Sequence, residues 1–295
     1  MDTFYIILTG ALVASTCGLL GCFLILRKAA MVGDAISHAV LPGIVIAYIF
    51  SQSRASLPML LGAGIFGVLI TLLIETLHKK GKMPMDAAIG LSFTWLFALG
   101  VILISLFAGK VDLDQDCVLY GEIAYVPIET WFWGSNNMGP IDVWILSILL
   151  ICILLFIFLG FKGLFITTFD EVFAASLGIS TVFWHYSLMA AVSFTTVLSF
   201  ESVGAILVVA FLVGPASVAY LFTDNLKYML VLAVTFGILA AVSGYFLAVT
   251  LNGSIAGAMA VMVGVEFLLA FLFAPKNGLL WRRKGQLIEP EKISA

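Results

Sequence analysis

Long apolar stretches alternate with short polar breaks along nearly the whole chain. Runs near residues 4 to 27, 34 to 50, 57 to 77, 86 to 108, 141 to 161, 182 to 200, 202 to 222, 228 to 250 and 255 to 274 carry few or no charges. About twenty such residues, wound as an α-helix, cover a hydrocarbon core of about 30 Å. The pattern predicts an all-α polytopic membrane protein with about nine transmembrane helices. Because the second and sixth runs are short, and little more than Glu201 parts the sixth from the seventh, the expectation extends from eight to ten crossings.

Composition closes off the soluble alternatives. At 62% hydrophobic and 11% charged, a chain of 295 residues has too little polar surface to solvate a globule. A net charge of −3, with no basic cluster larger than Arg282-Arg283-Lys284, argues against a nucleic-acid surface. That cluster is expected to anchor the C-terminal tail, 276–295, at the membrane. Cys17, Cys22, Cys117 and Cys152 fit no zinc or disulfide spacing and read as packing residues. The first run lacks a basic flank and a small-residue cleavage site, so it is expected to remain as a spanning helix.

Charge then orients the bundle. With the N-terminus outside, twelve of the fourteen Lys and Arg residues fall inside and only Arg54 and Lys110 outside, as the positive-inside rule requires. An odd number of crossings then puts the C-terminus in the cytosol. Residues 1–275 form one transmembrane domain, with 109–140 as an acidic extracytoplasmic segment. A weak internal symmetry relates Pro42-Gly43 before Ala47-Tyr48 to Gly214-Pro215 before Ala219-Tyr220. It predicts two four-helix halves in inverted orientation about the fifth helix, an arrangement in which interrupted helices mark a transport path.

Between the fifth and sixth runs, residues 168–179 predict a short amphipathic helix on the inner face. Asp170 and Glu171 suit a helix N-terminus, Val172, Phe173 and Leu177 form an apolar stripe, and Gly178 supplies a stop. With no Lys or Arg to meet anionic lipid, a groove on a cytosolic partner is favoured over the membrane surface.

Candidate chemistry concentrates in the second run. Asp34 and His38 lie four residues apart and so share a helix face. Ionisable groups at membrane depth are costly and usually face a partner, a cavity or a transported solute. A carboxylate oxygen and a neutral imidazole nitrogen can replace part of a divalent cation's hydration shell, and so small a ligand set lets the ion leave. The structural alternatives are a helix cap for Asp34 and a carbonyl contact for His38. Glu201 is a further candidate, either at the outer mouth or as a solvated loop carboxylate. Glu266 is expected to contact a neighbouring helix, His185 to belong to an aromatic belt with Trp184 and Tyr186, and His78 to be solvated. Gly62, Gly64 and Gly67 read as a close packing surface.

Leu26-Arg27-Lys28 followed by Gly33-Asp34-Ala35-Ile36-Ser37-His38-Ala39-Val40-Leu41-Pro42-Gly43 resembles the signature of the manganese, zinc and iron permease family of ABC importers. The stretches from Asp112 to Glu122, from Asp170 to Gly178, and from Ser202 to Ala210 with Gly214-Pro215-Ala216 resemble it too, in order over residues 10 to 275. The resemblance implies a type II importer fold. It also implies a second permease subunit, identical or paralogous, two cytosolic ATPases and an extracytoplasmic metal-binding protein. Asp34 and His38 would then lie on the metal pathway, and Asp170, Glu171, Phe173, Leu177 and Gly178 in the coupling helix.

The chain contains no Gly-x-x-x-x-Gly-Lys-Ser/Thr phosphate loop, so ATP hydrolysis would belong to a separate subunit and no permanently bound cofactor is expected. Manganese is the first expectation for the transported ion, with zinc and iron as alternatives, because Met31 is the only soft ligand beside the pair in that run. A proton-coupled secondary carrier using Asp34, Glu201 or Glu266 is the alternative. An intramembrane metalloenzyme is disfavoured because no His-Glu-x-x-His helix occurs.

Overall fold

The computed structural model describes residues 2–51, 56–107, 123–128, 130–133, 136–275 and 278–279. Its helices are α1 (Asp2–Leu26), α2 (Met31–Ser51), α3 (Ser56–Lys79), α4 (Met85–Phe107), α5 (Ile141–Phe169), α6 (Glu171–Ser176), α7 (Thr181–Val203), α8 (Ala205–Phe222), α9 (Leu226–Leu251) and α10 (Ile255–Phe273). Among the described residues, nine of them are long and apolar enough to cross a membrane, all except α6. Successive spans alternate in direction. One end of the bundle therefore gathers the close of α1, the α3/α4 turn, α6 and the α8/α9 turn; the other gathers the α7/α8 and α9/α10 turns.

Helix α1 is the buried centre: Val13, Ala14, Cys17, Leu20, Cys22 and Phe23 have no exposed surface. It packs chiefly against α8 and α9, with α5 and α7 beside it, while α2, α3 and α4 form a separate group that α7 joins to the rest. Helix α1 is thus inserted among the helices of the expected C-terminal half, away from α2, α3 and α4. Small residues make that insertion possible. A Cβ at Gly21 would collide with the Leu212 carbonyl, and one at Gly237 would stand 3.0 Å from Ala14 Cβ. In lipid, where apolar contact alone gives little advantage to helix association, such backbone approach is a main source of it.

The glycine cluster of α3 packs as anticipated. A Cβ on Gly43 would lie 2.6 Å from the Gly62 carbonyl oxygen, so α2 and α3 cross backbone to backbone. Gly64 faces Phe194, and Gly67 receives Ser193 of α7 and Ile36 of α2.

Four features depart from the sequence expectation. Helix α5 continues past Lys162 to Phe169. Thr167 and Thr168 return hydrogen bonds to the Gly163 and Leu164 carbonyls, and Phe161, Phe165 and Phe169 stack along one side. Pro42 and Pro215, which the matched Pro/Gly stretches would set at helix ends, lie inside α2 and α8. Within 109–140 the strands β1 (Thr130–Trp133) and β2 (Asn136–Pro140) form an antiparallel pair, a small addition to an otherwise helical chain. Cys152 is exposed on α5 and is not a core packing residue, unlike the buried Cys17 and Cys22. Cys117, the acidic residues Asp112 to Glu122 and the tail cluster at 282–284 lie outside the described residues.

Candidate metal site and the polar network beneath it

Asp34 stands in the first turn of α2, where a carboxylate is favoured by the positive end of the helix dipole. Because α2 begins at Met31, Asp34 is past the capping position. One turn on, His38 Nε2 lies 3.7 Å from Asp34 Oδ1, and the two side chains are 36% and 39% exposed. Two aromatic rings of α4 orient the imidazole, Phe93 at 5.3 Å and Phe97 at 5.6 Å between centroids. The pair is thus held between α2 and α4 with one side open. Pro42 has no N–H to return to the His38 carbonyl four residues earlier, so α2 breaks its hydrogen-bond ladder beside the pair. Among the described residues no three His, Cys, Asp or Glu side chains converge on one point.

Glu201 does not join them. It lies exposed in the last turn of α7, just before Gly204, whose φ of 81° ends that helix and begins α8. Ser193 of α7 and Ile36 of α2 meet at Gly67, and Glu201 is eight residues further along α7. At the rise of an α-helix, that separates it from the level of Ile36 by about 12 Å.

The Asp170 carboxylate accepts the Phe173 N–H at 2.8 Å and caps α6, and Gly178, at φ 76°, closes the turn. Ala174 is buried, whereas Val172 is 82%, Phe173 53% and Leu177 55% exposed. The anticipated apolar stripe therefore points away from the bundle.

Above α6 lies a polar network that sequence reasoning missed. A cavity of about 380 Å³ is bounded by Arg27, Glu75, His78, Lys79, Glu171 and His185, with Val32 of α2 in its wall. Arg27 donates to Thr168 Oγ1 at 3.1 Å and to Thr167 Oγ1 at 2.9 Å. Burial pushes the Arg27 guanidinium below its usual range, and the Glu171 carboxylate works against that shift. Glu75 pairs with Lys79 one turn along α3, while its other oxygen, buried, faces His185 Nε2 at 3.7 Å. His185 thus meets a carboxylate as well as the Tyr186 ring, 5.4 Å away between centroids, and Trp184 turns inward to cover Gly160 and Gly163. His78 hydrogen-bonds through Nδ1 to the Met83 carbonyl at 2.8 Å. The overlooked signal was Glu75 itself, a carboxylate within an apolar run. Glu266, expected to bond a neighbouring helix, has a buried Oε2 with no hydrogen-bond partner among the described residues.

Among the described residues, nine apolar helices, the first of them buried at the centre, with a carboxylate and an imidazole beside a broken helical ladder, define a multi-pass membrane transport subunit. The chain belongs to the ABC 3 transport family, whose model matches residues 3–274. It is 47% identical over 279 residues to the manganese transport system membrane protein MntD of Bacillus subtilis, covering 95% of this chain and 94% of that one. It is 46% identical over 280 residues to the zinc transport system membrane protein TroD of Treponema pallidum, with 95% and 76% covered. Among solved structures, PsaBC from Streptococcus pneumoniae in complex with Fab superposes with a TM-score of 0.77 at 34% identity, over 95% of this chain and 94% of that chain. The resemblance drawn from the sequence motifs is borne out, and the chain is a metal ABC permease.

Proposed function

We propose that this chain is the membrane-spanning subunit of an ATP-driven importer of divalent transition metal ions, manganese first, with zinc and iron as alternatives. Its partners are cytosolic ABC ATPases, a second permease subunit and an extracytoplasmic metal-binding protein, in the cytoplasmic membrane of a bacterium. The carrying observation is the Asp34 and His38 pair, oriented by α4 and open on one side. One carboxylate and one imidazole leave a transition-metal ion's coordination incomplete, so water or the second permease subunit supplies the rest. Transport benefits from that weakness, since a closed set of four ligands would hold the ion.

Orientation with the N-terminus outside and the C-terminus in the cytosol is supported by Arg27, Lys28, Lys79, Lys80, Lys82 and Lys227, which gather at the α6 end of the bundle. That end then faces the ATPase, and the exposed Val172, Phe173 and Leu177 are the surface offered to it. Glu201, at the opposite end, stands on the side from which the cation arrives.

Uptake of radioactive Mn²⁺ into liposomes carrying the complete transporter separates an importer from a carrier. With the ATPase disabled at its phosphate-loop lysine, uptake is expected to fall to background. Undiminished uptake would instead favour a proton-coupled carrier.

A further inference from the structure

Helix α6 is six residues long and sends only Ala174 into the bundle. The side chains that reach toward it come from elsewhere in the chain. Arg27, at the close of α1, holds both threonines of the last turn of α5, immediately before α6, and lines the same cavity as Glu171 of α6. Across the same cavity His185 of α7 meets Glu75 of α3. Glu75 belongs to the group of α2, α3 and α4, Arg27 to the end of α1, and His185 to α7, which packs on both α3 and α1. Charges set in a partly dry cavity interact more strongly than they would in water, so displacing one of them is felt by the others.

The chain of contact continues toward the candidate ion site. Helix α3, which bears Glu75, crosses α2 at Gly62 and Gly43 with no side chain between the two backbones. Helix α2 bears Asp34 and His38, and Val32 at its start lines the cavity. A shift of α3 therefore reaches α2 without being absorbed by rotamer changes, and the cavity gives these helix ends room to move.

We propose that Arg27, Glu75, Glu171 and His185 form the joint that carries displacement of α6 into α3 and α7, and through α3 into α2. They are positioning residues and touch no transported ion. The proposal rests on the importer reading above, with α6 as the ATPase contact. Its signature is a loss of coupling, with ATP still hydrolysed while fewer ions cross.

The test uses the complete transporter in liposomes, with ATP hydrolysis and Mn²⁺ uptake measured on the same preparation. For Glu75→Gln and Arg27→Gln, ATP consumed per Mn²⁺ transported is expected to rise about tenfold, while hydrolysis stays within about twofold of wild type. The conservative Arg27→Lys is expected to recover at least half of the coupling, which also covers the case in which Arg27→Gln fails to assemble. Hydrolysis and uptake falling in parallel, or an unchanged ratio, would overturn the joint and leave the importer standing. Wild-type uptake that needs no ATP would remove the importer reading and the joint together.

Discussion

Asp34 and His38 differ from the other ionisable groups of the spans in being matched to each other and held by a third element. Phe93 and Phe97 restrict the imidazole, and the helix N-terminus favours the carboxylate, so neither needs a further protein partner to hold its place. Glu266 offers the contrast. Its buried Oε2 has no hydrogen-bond partner among the described residues, and it belongs to α10, outside the group formed by α2, α3 and α4. Replacement by Gln keeps its shape and removes its charge. Mn²⁺ uptake by Glu266→Gln is expected to stay within about twofold of wild type, and a loss beyond tenfold would restore the proton-coupled carrier. The spacing of Asp34 and His38 was legible because a helix repeats about every four residues. The encounter of Glu75 with His185 was not, since residues 110 positions apart meet only through the packing of α3 on α7.

At the scale of helices, the apolar runs were legible because a hydrocarbon core leaves few alternatives to a helix of about twenty residues. Their neighbours were not. Nothing in the periodicity of α1 says that it inserts between α8 and α9, because every face of it is apolar and the choice falls to glycines that admit a neighbouring backbone. The sixth run read as short for a related reason. Helix α7 buries Ser193, Thr195, Thr196, Ser199 and Ser202, which lower its hydropathy without placing it in water. Strand β1 was signalled by Thr130-Trp131-Phe132-Trp133, residue types that favour strands, but the acidic surroundings read as loop.

Two outcomes follow at this scale. Gly62→Val places a branched side chain against the Gly43 carbonyl and Ala47, and should destabilise the α2/α3 crossing by roughly 1–3 kcal/mol. Lowered thermal stability in detergent, by fluorescence-detected size exclusion, would register it. Phe173→Asp, on the exposed face of α6, should leave that thermal stability unchanged and reduce co-purification of the ATPase at least several-fold. Undiminished co-purification would remove α6 from the contact.

Taken as a whole, the molecule sets its ionisable groups at different depths. Glu201 stands at one end, the Asp34 and His38 pair lies deeper, and the Arg27 and Glu75 network borders α6 at the other end. Such a layout suits a subunit that passes an ion along while another protein supplies the energy. The sequence motifs carried this division of labour before any coordinates did, since the ordered signature stretches span nearly the whole chain. What they left open was whether Glu201 and the pair share one site; the packing of α7 against α2 at Gly67 puts Glu201 about two helical turns beyond the level of Ile36. The most direct test is Mn²⁺ uptake by the reconstituted transporter carrying Asp34→Asn or His38→Ala, with assembly and ATP hydrolysis monitored alongside. Uptake is expected to fall at least tenfold in each variant while the complex stays intact; uptake at the wild-type rate in both would contradict an ion pathway through this pair.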